Sequence, residues 1–130
     1  MNTDKLVGKT ELTEAIIGAA YTVANDLGNG FLEKVYENAL ASELRRRSHT
    51  VEQQKAMDVW YQGEMVGQYV ADLVVDDEVI VELKALPSLE RIHRAQCLNY
   101  LRATNKEIGL VINFGRPRIE VQRVVCFCPA

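Results

Sequence analysis

The chain has 130 residues, of which 48% are hydrophobic and 25% are charged, and its formal net charge is −3. This length and this apolar fraction predict one soluble globular domain that needs no disulfides to support its core. The acidic balance argues against a nucleic-acid-binding protein of the usual basic kind, although acids gathered around a cation would lower the net charge too.

The cysteines and the apolar runs indicate the cellular location and redox environment of the protein. Three cysteines, an odd number, favour a reducing cytoplasmic location over a secreted disulfide framework. Cys126 and Cys128 could form half of a zinc or iron–sulfur site, but no second pair completes the ligands. Residues 1–20 lack the features of a signal peptide, and no apolar run approaches the ~20 residues that span a bilayer, so no membrane partner is expected.

The first two predicted elements are amphipathic helices. Thr10 is the expected N-cap of the first helix, which ends at the glycine-rich stretch 27–30. Its apolar positions recur at helical spacing: Leu12, Ile16, Ala19, Ala20 and Val23. The second helix is predicted over residues 31–48, with arginines at its carboxyl end, where the helix dipole favours positive charge. Its expected apolar face consists of Phe31, Val35, Ala39 and Leu40.

From residue 50 onward the pattern becomes strand-like. Three strands, one helix and two strands are predicted, over residues 51–62, 67–75, 78–86, 88–104, 107–115 and 119–127. Pro87 suits the first turn of the third helix. The order ααβββαββ predicts an α/β (α+β) fold with one mixed central sheet flanked by helices. We expect a single domain over residues 1–130, with its core at about 10–125.

The predicted hairpin over residues 69–86 carries charges on otherwise apolar strands. Glu82 and Lys84 must share one face, because side chains alternate along a strand. A three-residue loop at 76–78 would bring Asp72 directly across from Glu82, whereas a two-residue loop would separate them. The acids of the loop itself are interpreted as turn residues only.

Two carboxylates facing each other across strands repel. At about 4 Å the repulsion is ~1 kcal/mol in water and ~4 kcal/mol at an effective dielectric constant of 20. A bound cation would remove this cost, and hard oxygen ligands suit Mg²⁺. The alternative is that Glu82 and Lys84 belong to a solvated face, because an acid-x-Lys triplet arises about once by chance in a chain of this composition.

Three motifs carry a resemblance to a known family. Asp72, followed ten residues later by Glu82-Leu83-Lys84 on the next strand, resembles the PD-(D/E)XK nuclease superfamily, although Ala71 stands at the proline position. Gln96 and Tyr100 resemble the Gln-x-x-x-Tyr element of exonuclease domains in recombination helicase–nucleases. The stretch GFLEKVY, residues 30–36, matches Gly-x-x-Glu-x-x-Tyr.

Together with YENAL after it and GLVINFG near the end, these motifs make the chain resemble the small bacterial GxxExxY family within that superfamily, over about residues 10–123. The resemblance implies a restriction-endonuclease-like fold. It further implies that Asp72, Glu82 and the backbone carbonyl of Leu83 hold Mg²⁺, with Mn²⁺ as a substitute. Glu33 would add an acid to the metal or to its waters.

The resemblance also assigns roles to the remaining motif residues. Lys84 would orient or deprotonate the attacking water and stabilise the phosphate, and Gln96 and Tyr100 would position Lys84 or a substrate phosphate. Each of these residues also has a purely structural explanation. An acid such as Glu33, for example, is favoured in the first turn of any helix. Tyr36 is expected in the core, and His93 is interpreted as a surface histidine, with a phosphate contact as the alternative. The arginines either form a phosphate-binding rim or are merely solvated: Arg45, Arg46, Arg47, Arg91, Arg94, Arg116 and Arg118.

The leading functional hypothesis is therefore a Mg²⁺-dependent nuclease, a hydrolase that cuts nucleic acid by metal-activated water, with DNA favoured over RNA. The alternative is a non-catalytic module that retains the nuclease fold and binds nucleic acid or protein. A glycosidase with paired carboxylates is disfavoured by the lysine between the acids and by the single Trp. A homodimer is expected if both strands of a duplex are cut, and a protein partner could supply specificity.

Overall fold

The computed structural model describes the backbone of residues 3–127 and the side chains of residues 9–127, so Cys128 lies outside the described residues. Within residues 3–127, three helices and five strands follow one another in the predicted order. They are α1 (Thr3–Leu27), α2 (Glu33–Arg46), β1 (Val51–Tyr61), β2 (Glu64–Val75), β3 (Val79–Lys84), α3 (Arg91–Thr104), β4 (Ile108–Asn113) and β5 (Glu120–Val125). None of the helices in this part of the chain has the length and apolar character needed to cross a membrane.

The five strands form one mixed sheet in the order β1-β2-β3-β4-β5. Neighbouring strands are antiparallel except for β3 and β4, which are parallel. A parallel pair needs a long crossover between its strands, and α3 provides it. The predicted mixed sheet flanked by helices is confirmed.

The helices cover the sheet on both faces. One core cluster joins α1 and α2 to one face, and a second, smaller cluster joins α3 to the other face. The central strands β3 and β4 are consequently buried on both sides, which explains their unbroken apolar runs. Glu82 is the exception in β3, because it is an acid within a buried, otherwise apolar run in the middle of the sheet.

Two helices begin where the sequence pattern did not place them. The predicted N-cap at Thr10 is wrong, because α1 begins at Thr3 and Thr10 lies inside the helix, where its carbonyl accepts the Thr13 hydroxyl at 2.9 Å. Pro87 does not open α3, which begins at Arg91. The preceding Glu90 is the N-cap, and its backbone N–H donates to His93 Nδ1 at 2.9 Å.

The buried face of α2 agrees with the prediction at Ala39 and Leu40 but not at Phe31 and Val35. The last two are exposed, because α2 begins at Glu33 and its buried stripe is shifted. That stripe consists of Tyr36, Leu40, Ala41 and Leu44. The Tyr36 hydroxyl donates to the Gly28 carbonyl at 2.6 Å, and its ring stacks on Phe114, so the expectation of a core Tyr36 is confirmed.

The register of the β2–β3 hairpin is the predicted one. Val75 pairs with Val79 and Leu73 pairs with Val81, leaving the three-residue turn 76–78. Asp76 and Asp77 have positive φ angles of 51° and 56°, a conformation that Asp tolerates better than most residues. The regular pairing ends at Leu73 and Val81, so the predicted pair of Asp72 and Glu82 lies just beyond it.

The strand is irregular at Asp72 itself. Ala71 belongs to the cluster under α3, whereas Leu73 belongs to the cluster under α1 and α2. Residues two apart on a regular strand share a face, so the alternation breaks at Asp72. Opposite this point, between the residues that pair with Ala71 and Leu73, Gln54 of β1 has a φ of +51°. Both strands are thus distorted at the same level of the sheet.

The segment that follows Lys84 is tightly fixed. The buried amide of Asn113 accepts the Leu86 N–H at 2.9 Å and donates to the Leu86 carbonyl at 3.0 Å. A side chain at Gly115 would overlap the Leu86 backbone, so only glycine fits there. The Phe114 N–H donates to the Lys84 carbonyl at 2.8 Å. These contacts hold the end of β3, and with it Lys84, in one position.

Candidate active site

A cleft of ≈ 550 Å³ opens between the β1–β2 hairpin and α3. Glu82 and Lys84 of β3 and Gln96 and Tyr100 of α3 all contribute to its lining. This volume lies in the usual range for ligand pockets. Four of the six predicted catalytic residues therefore share one cavity, while Asp72 and Glu33 lie beside it rather than in its lining.

Glu82 is the buried acid of the cleft, with 9% of its surface exposed. Burial raises the pKa of Glu82 to about 7, against the opposing effects of the Lys84 charge and of a hydrogen bond from the Asp72 backbone N–H. The hydroxyl of Tyr69 also donates to Glu82 Oε1. The group therefore changes its protonation state near neutral pH, as a residue that binds or releases a cation or proton can do.

Asp72 is tied to the same strand by a reciprocal contact. Its Oδ2 accepts the Leu83 backbone N–H at 2.8 Å, and its Oδ1 lies 3.3 Å from Gln54 Nε2. Burial raises the pKa of Asp72 in spite of these two donors. Asp72 and Glu82 thus each accept a backbone N–H from the other's strand, which sets both carboxylates at one level of the hairpin.

Lys84 is the positive charge shared by the acids around the cleft. It is half-buried at the end of β3, and its charge lowers the pKa values of Glu33, Asp72 and Glu82. In all three acids burial raises the pKa by more than Lys84 lowers it. The ionised form of each acid is therefore disfavoured, although Lys84 offsets part of this effect.

Two acids of α2 approach Asp72 from outside the cleft. Glu33, in the first turn, is exposed, and desolvation followed by the charge of Asp72 raises its pKa. Glu37, one turn later, is buried with 3% of its surface exposed. Its carboxylate accepts Lys34 Nζ at 2.9 Å and Gln53 and Gln54 Nε2 at 2.7 Å each. Burial alone would raise the pKa of Glu37, but these donors together lower it.

Sequence reasoning missed Glu37, Gln54 and Tyr69. Glu37 had a usable signal, because it lies four residues after Glu33 on the same helix face. The ring of Tyr69 stacks on Tyr100, with centroids 3.7 Å apart, while its hydroxyl reaches Glu82. Tyr100 therefore contacts the site acid through Tyr69 rather than by a direct bond to Lys84 or Glu82.

The other α3 residues have distinct surroundings. Gln96 is exposed at the cleft, where a ligand could meet its amide. His93 lines the cleft too, but its Nδ1 caps the helix, in agreement with a structural role. Burial raises the pKa of the Cys97 thiol to about 12, with Glu82 adding to the effect, so Cys97 stays protonated and is no nucleophile.

Most of the arginines considered as a phosphate rim are engaged by the protein itself. The Arg45 guanidinium donates to the Val51 carbonyl at 2.8 Å, and Arg94 donates to the Arg123 carbonyl at 2.9 Å. Ion pairs involve three more of them: Arg46 and Arg47 with Glu43, and Arg116 with Glu120. For these five arginines the structural interpretation, as solvated residues, is therefore favoured over a phosphate-binding rim.

The donor types around the cleft fit a hard divalent cation. Glu33, Asp72 and Glu82 offer carboxylate oxygens, and their raised pKa values reflect burial together with mutual repulsion. Among the residues that the structure describes, no three His, Cys, Asp or Glu side chains converge closely enough to form a ready-made ion site. Cys126 is disulfide-bonded, so it has no free thiolate for the zinc or iron–sulfur site considered from the sequence, and its predicted companion Cys128 lies outside the described residues.

Comparisons with known proteins agree with the motifs. The family model of the PD-(D/E)XK nuclease superfamily matches residues 10–124. The solved crystal structure of the protein SSO0001 shares the fold, with a TM-score of 0.54 and 19% sequence identity. The alignment covers 94% of this chain and 61% of SSO0001, so the chain spans less than two thirds of that protein. Curated protein sequences gave no match to this chain.

Proposed function

Because the chain belongs to the PD-(D/E)XK nuclease superfamily, we propose that it is a metal-dependent nuclease that hydrolyses phosphodiester bonds in the cleft beside α3. Within the superfamily we assign it to the GxxExxY group, on the motif at residues 30–36. The observation that carries the proposal is the meeting of Glu82 and Lys84 in one cleft, with Asp72 bonded to the intervening Leu83 N–H.

In this proposal Asp72, Glu82 and the Leu83 carbonyl hold Mg²⁺ or Mn²⁺, and Glu33 adds an outer acid. The ion would neutralise charge on the phosphate and lower the pKa of a bound water. Lys84 holds the attacking water or takes its proton, and its charge stabilises the phosphate oxygens. Gln96 donates its amide to a substrate phosphate, while Tyr100 acts through its packing on Tyr69.

The test is incubation with single- and double-stranded DNA and RNA in Mg²⁺ or Mn²⁺. We expect Glu82→Ala and Lys84→Ala each to lower the cleavage rate by at least about 100-fold, because metal-bound water and its positioned proton acceptor supply most of the rate. Matched controls are Glu64→Ala, an exposed acid of β2, and Lys55→Ala, whose ammonium bonds Glu52 at 2.7 Å. Cutting that survives both active-site substitutions equally would rule out this mechanism.

A non-catalytic binding module is the second candidate, and one observation favours it. The Tyr69 hydroxyl already donates to Glu82 Oε1, one of the two oxygens through which Glu82 could bind a metal. The discriminating measurement is calorimetric titration with Mn²⁺: heat of binding that disappears in Glu82→Ala supports the nuclease. The absence of binding to the unsubstituted protein supports the module.

DNA as the preferred substrate and a homodimer that cuts both strands remain part of the proposal. A duplex cut needs two centres, and each chain supplies one. Light scattering that gives the mass of one chain at working concentrations would remove the dimer, and equal cleavage of RNA and DNA would remove the preference.

A further inference from the structure

Gln54 has an unusual backbone for the middle of a strand. Its φ of +51° is left-handed, a conformation that costs an L-residue about 1–2 kcal/mol. Its neighbours Gln53 and Lys55 pair normally with Leu73 and Ala71 of β2. Within this part of β1 the left-handed conformation is therefore confined to Gln54. Such strain persists only where the surroundings fix it, and it gathers at functional sites.

The left-handed turn sends the Gln54 amide between two acids. Nε2 donates to Glu37 Oε1 at 2.7 Å and to Asp72 Oδ1 at 3.3 Å. A primary amide carries two N–H groups, one for each carboxylate. The shorter bond anchors the amide on the buried Glu37 of α2, and the longer one reaches Asp72 of β2.

We propose that Gln54, anchored by Glu37, is a positioning residue that fixes the orientation of the Asp72 carboxylate as a metal ligand. This inference rests on the proposed function. Asp72 Oδ2 is already held by the Leu83 N–H, so a second contact on Oδ1 stops rotation of the carboxylate about its last bond. Partners of this kind behind a metal ligand are typically worth about 10–100-fold in metal affinity.

The chain offers a matched control in the preceding residue. Gln53 Nε2 also donates to Glu37, at 2.7 Å, but its second contact is Asn38 Oδ1 at 2.8 Å. Gln53→Ala thus removes a partner of Glu37 without touching Asp72. Gln54→Gly is the informative variant, because glycine adopts a positive φ freely and keeps the backbone while losing the amide.

The experiment is calorimetric titration of the full chain with Mn²⁺, after denaturant unfolding in EDTA has shown that each variant is folded. We expect Gln54→Gly to bind Mn²⁺ at least about tenfold more weakly, and Gln53→Ala to stay within about threefold of the unsubstituted protein. Unchanged affinity in Gln54→Gly overturns the inference and leaves the proposed function standing. No binding by the unsubstituted protein overturns the proposed function itself.

A metal-free measurement tests the contact separately. In ¹⁵N–¹H spectra recorded with EDTA, Asp72→Asn should shift the side-chain amide signals of Gln54 and leave those of Gln53 in place. Glu37→Gln should shift both, because both amides donate to Glu37. Gln54 signals that do not respond to Asp72→Asn overturn the inference.

Discussion

The two ends of the β2–β3 hairpin both carry acids, in opposite circumstances. At the turn, Asp76 Oδ1 accepts the Thr50 N–H at 2.8 Å, and its Oδ2 lies 2.8 Å from His49 Nδ1. Burial would raise the pKa of Asp76, but His49 and Thr50 together lower it. At the other end, burial raises the pKa values of Asp72 and Glu82 in spite of their donors.

This contrast separates an acid whose ionised form the fold stabilises, Asp76, from two acids whose ionised form it destabilises, Asp72 and Glu82. The three acids lie on one hairpin, and they differ in whether the nearby donors outweigh the effect of burial on the pKa. At the turn, His49 and Thr50 donate to the Asp76 carboxylate, whereas at the cleft end one lysine lies among several carboxylates. A cation or a proton would neutralise the carboxylates at the cleft. The following substitutions test whether the two ends of the hairpin differ in this way.

The largest effect on stability is expected from Glu82→Gln. Folded Glu82 keeps its proton up to about pH 7, whereas the unfolded group releases it near 4.5. The unfolded state binds fewer protons across this window, so stability falls as pH rises through it. The difference between about 7 and 4.5 corresponds to about 3 kcal/mol, which sets the upper limit on the gain from removing the charge.

Glu82→Gln should therefore raise the free energy of unfolding above pH 7 in EDTA, toward that limit, and have little effect below pH 4.5. Urea unfolding at pH 8 and pH 4 measures both. Glu64→Gln, at an exposed position of the same hairpin, should show no such gain. Equal stability of Glu82→Gln and the unsubstituted protein at pH 8 would contradict the conclusion that the ionised Glu82 carboxylate destabilises the folded state.

Removing the acid at the turn, Asp76, should lower the free energy of unfolding rather than raise it, and by a smaller amount. Asp76→Asn should lower the free energy of unfolding by about 1–2 kcal/mol at pH 7, because an amide nitrogen cannot accept the His49 and Thr50 donors as a carboxylate does. Since the pKa of Asp76 is lowered in the folded state, its contribution is present above the ordinary value of 3.8 and is lost as pH falls through the folded value. The deficit of the variant should thus shrink below pH 3.8 in urea unfolding experiments.

Cleavage by Asp76→Asn should stay unchanged under conditions where the variant is folded. A loss of cleavage comparable to that of Glu82→Ala would erase the distinction between the two ends of the hairpin.

Much of the fold was predictable because it depends on short-range patterns. The element order follows from periods of two and 3.6 residues, and the hairpin register follows from the parity of a three-residue loop. The errors fall where local signals compete. Thr10 is a good cap residue that the structure uses inside a helix, and Phe31 is apolar but lies in the loop before α2.

The residues that line the cleft from β3 and α3 were predictable in part. Strand alternation places Glu82 beside Lys84, and the motif adds Gln96 and Tyr100 of the next helix. The supporting residues could not be found this way, because their contacts join distant parts of the chain: Gln54 to Asp72 across 18 positions, and Tyr69 to Glu82 across 13. The left-handed backbone of Gln54 has no local sequence signal, since glutamine does not favour it.

The smallest effect is expected from Asp77→Gly in the turn. The Asp77 side chain is 80% exposed, and its ion pair with Lys106, at 3.2 Å, is of the surface kind that contributes little. The stronger contact of Lys106, at 2.6 Å, is to the Asp77 backbone carbonyl, which glycine keeps. Glycine also adopts the φ of 56° without strain, while it makes the unfolded chain more flexible. These opposed terms should leave the free energy of unfolding within about 0.5 kcal/mol of the unsubstituted protein in urea, with full cleavage. A larger loss of stability, or any loss of cleavage, would show that the turn acids do more than shape the loop.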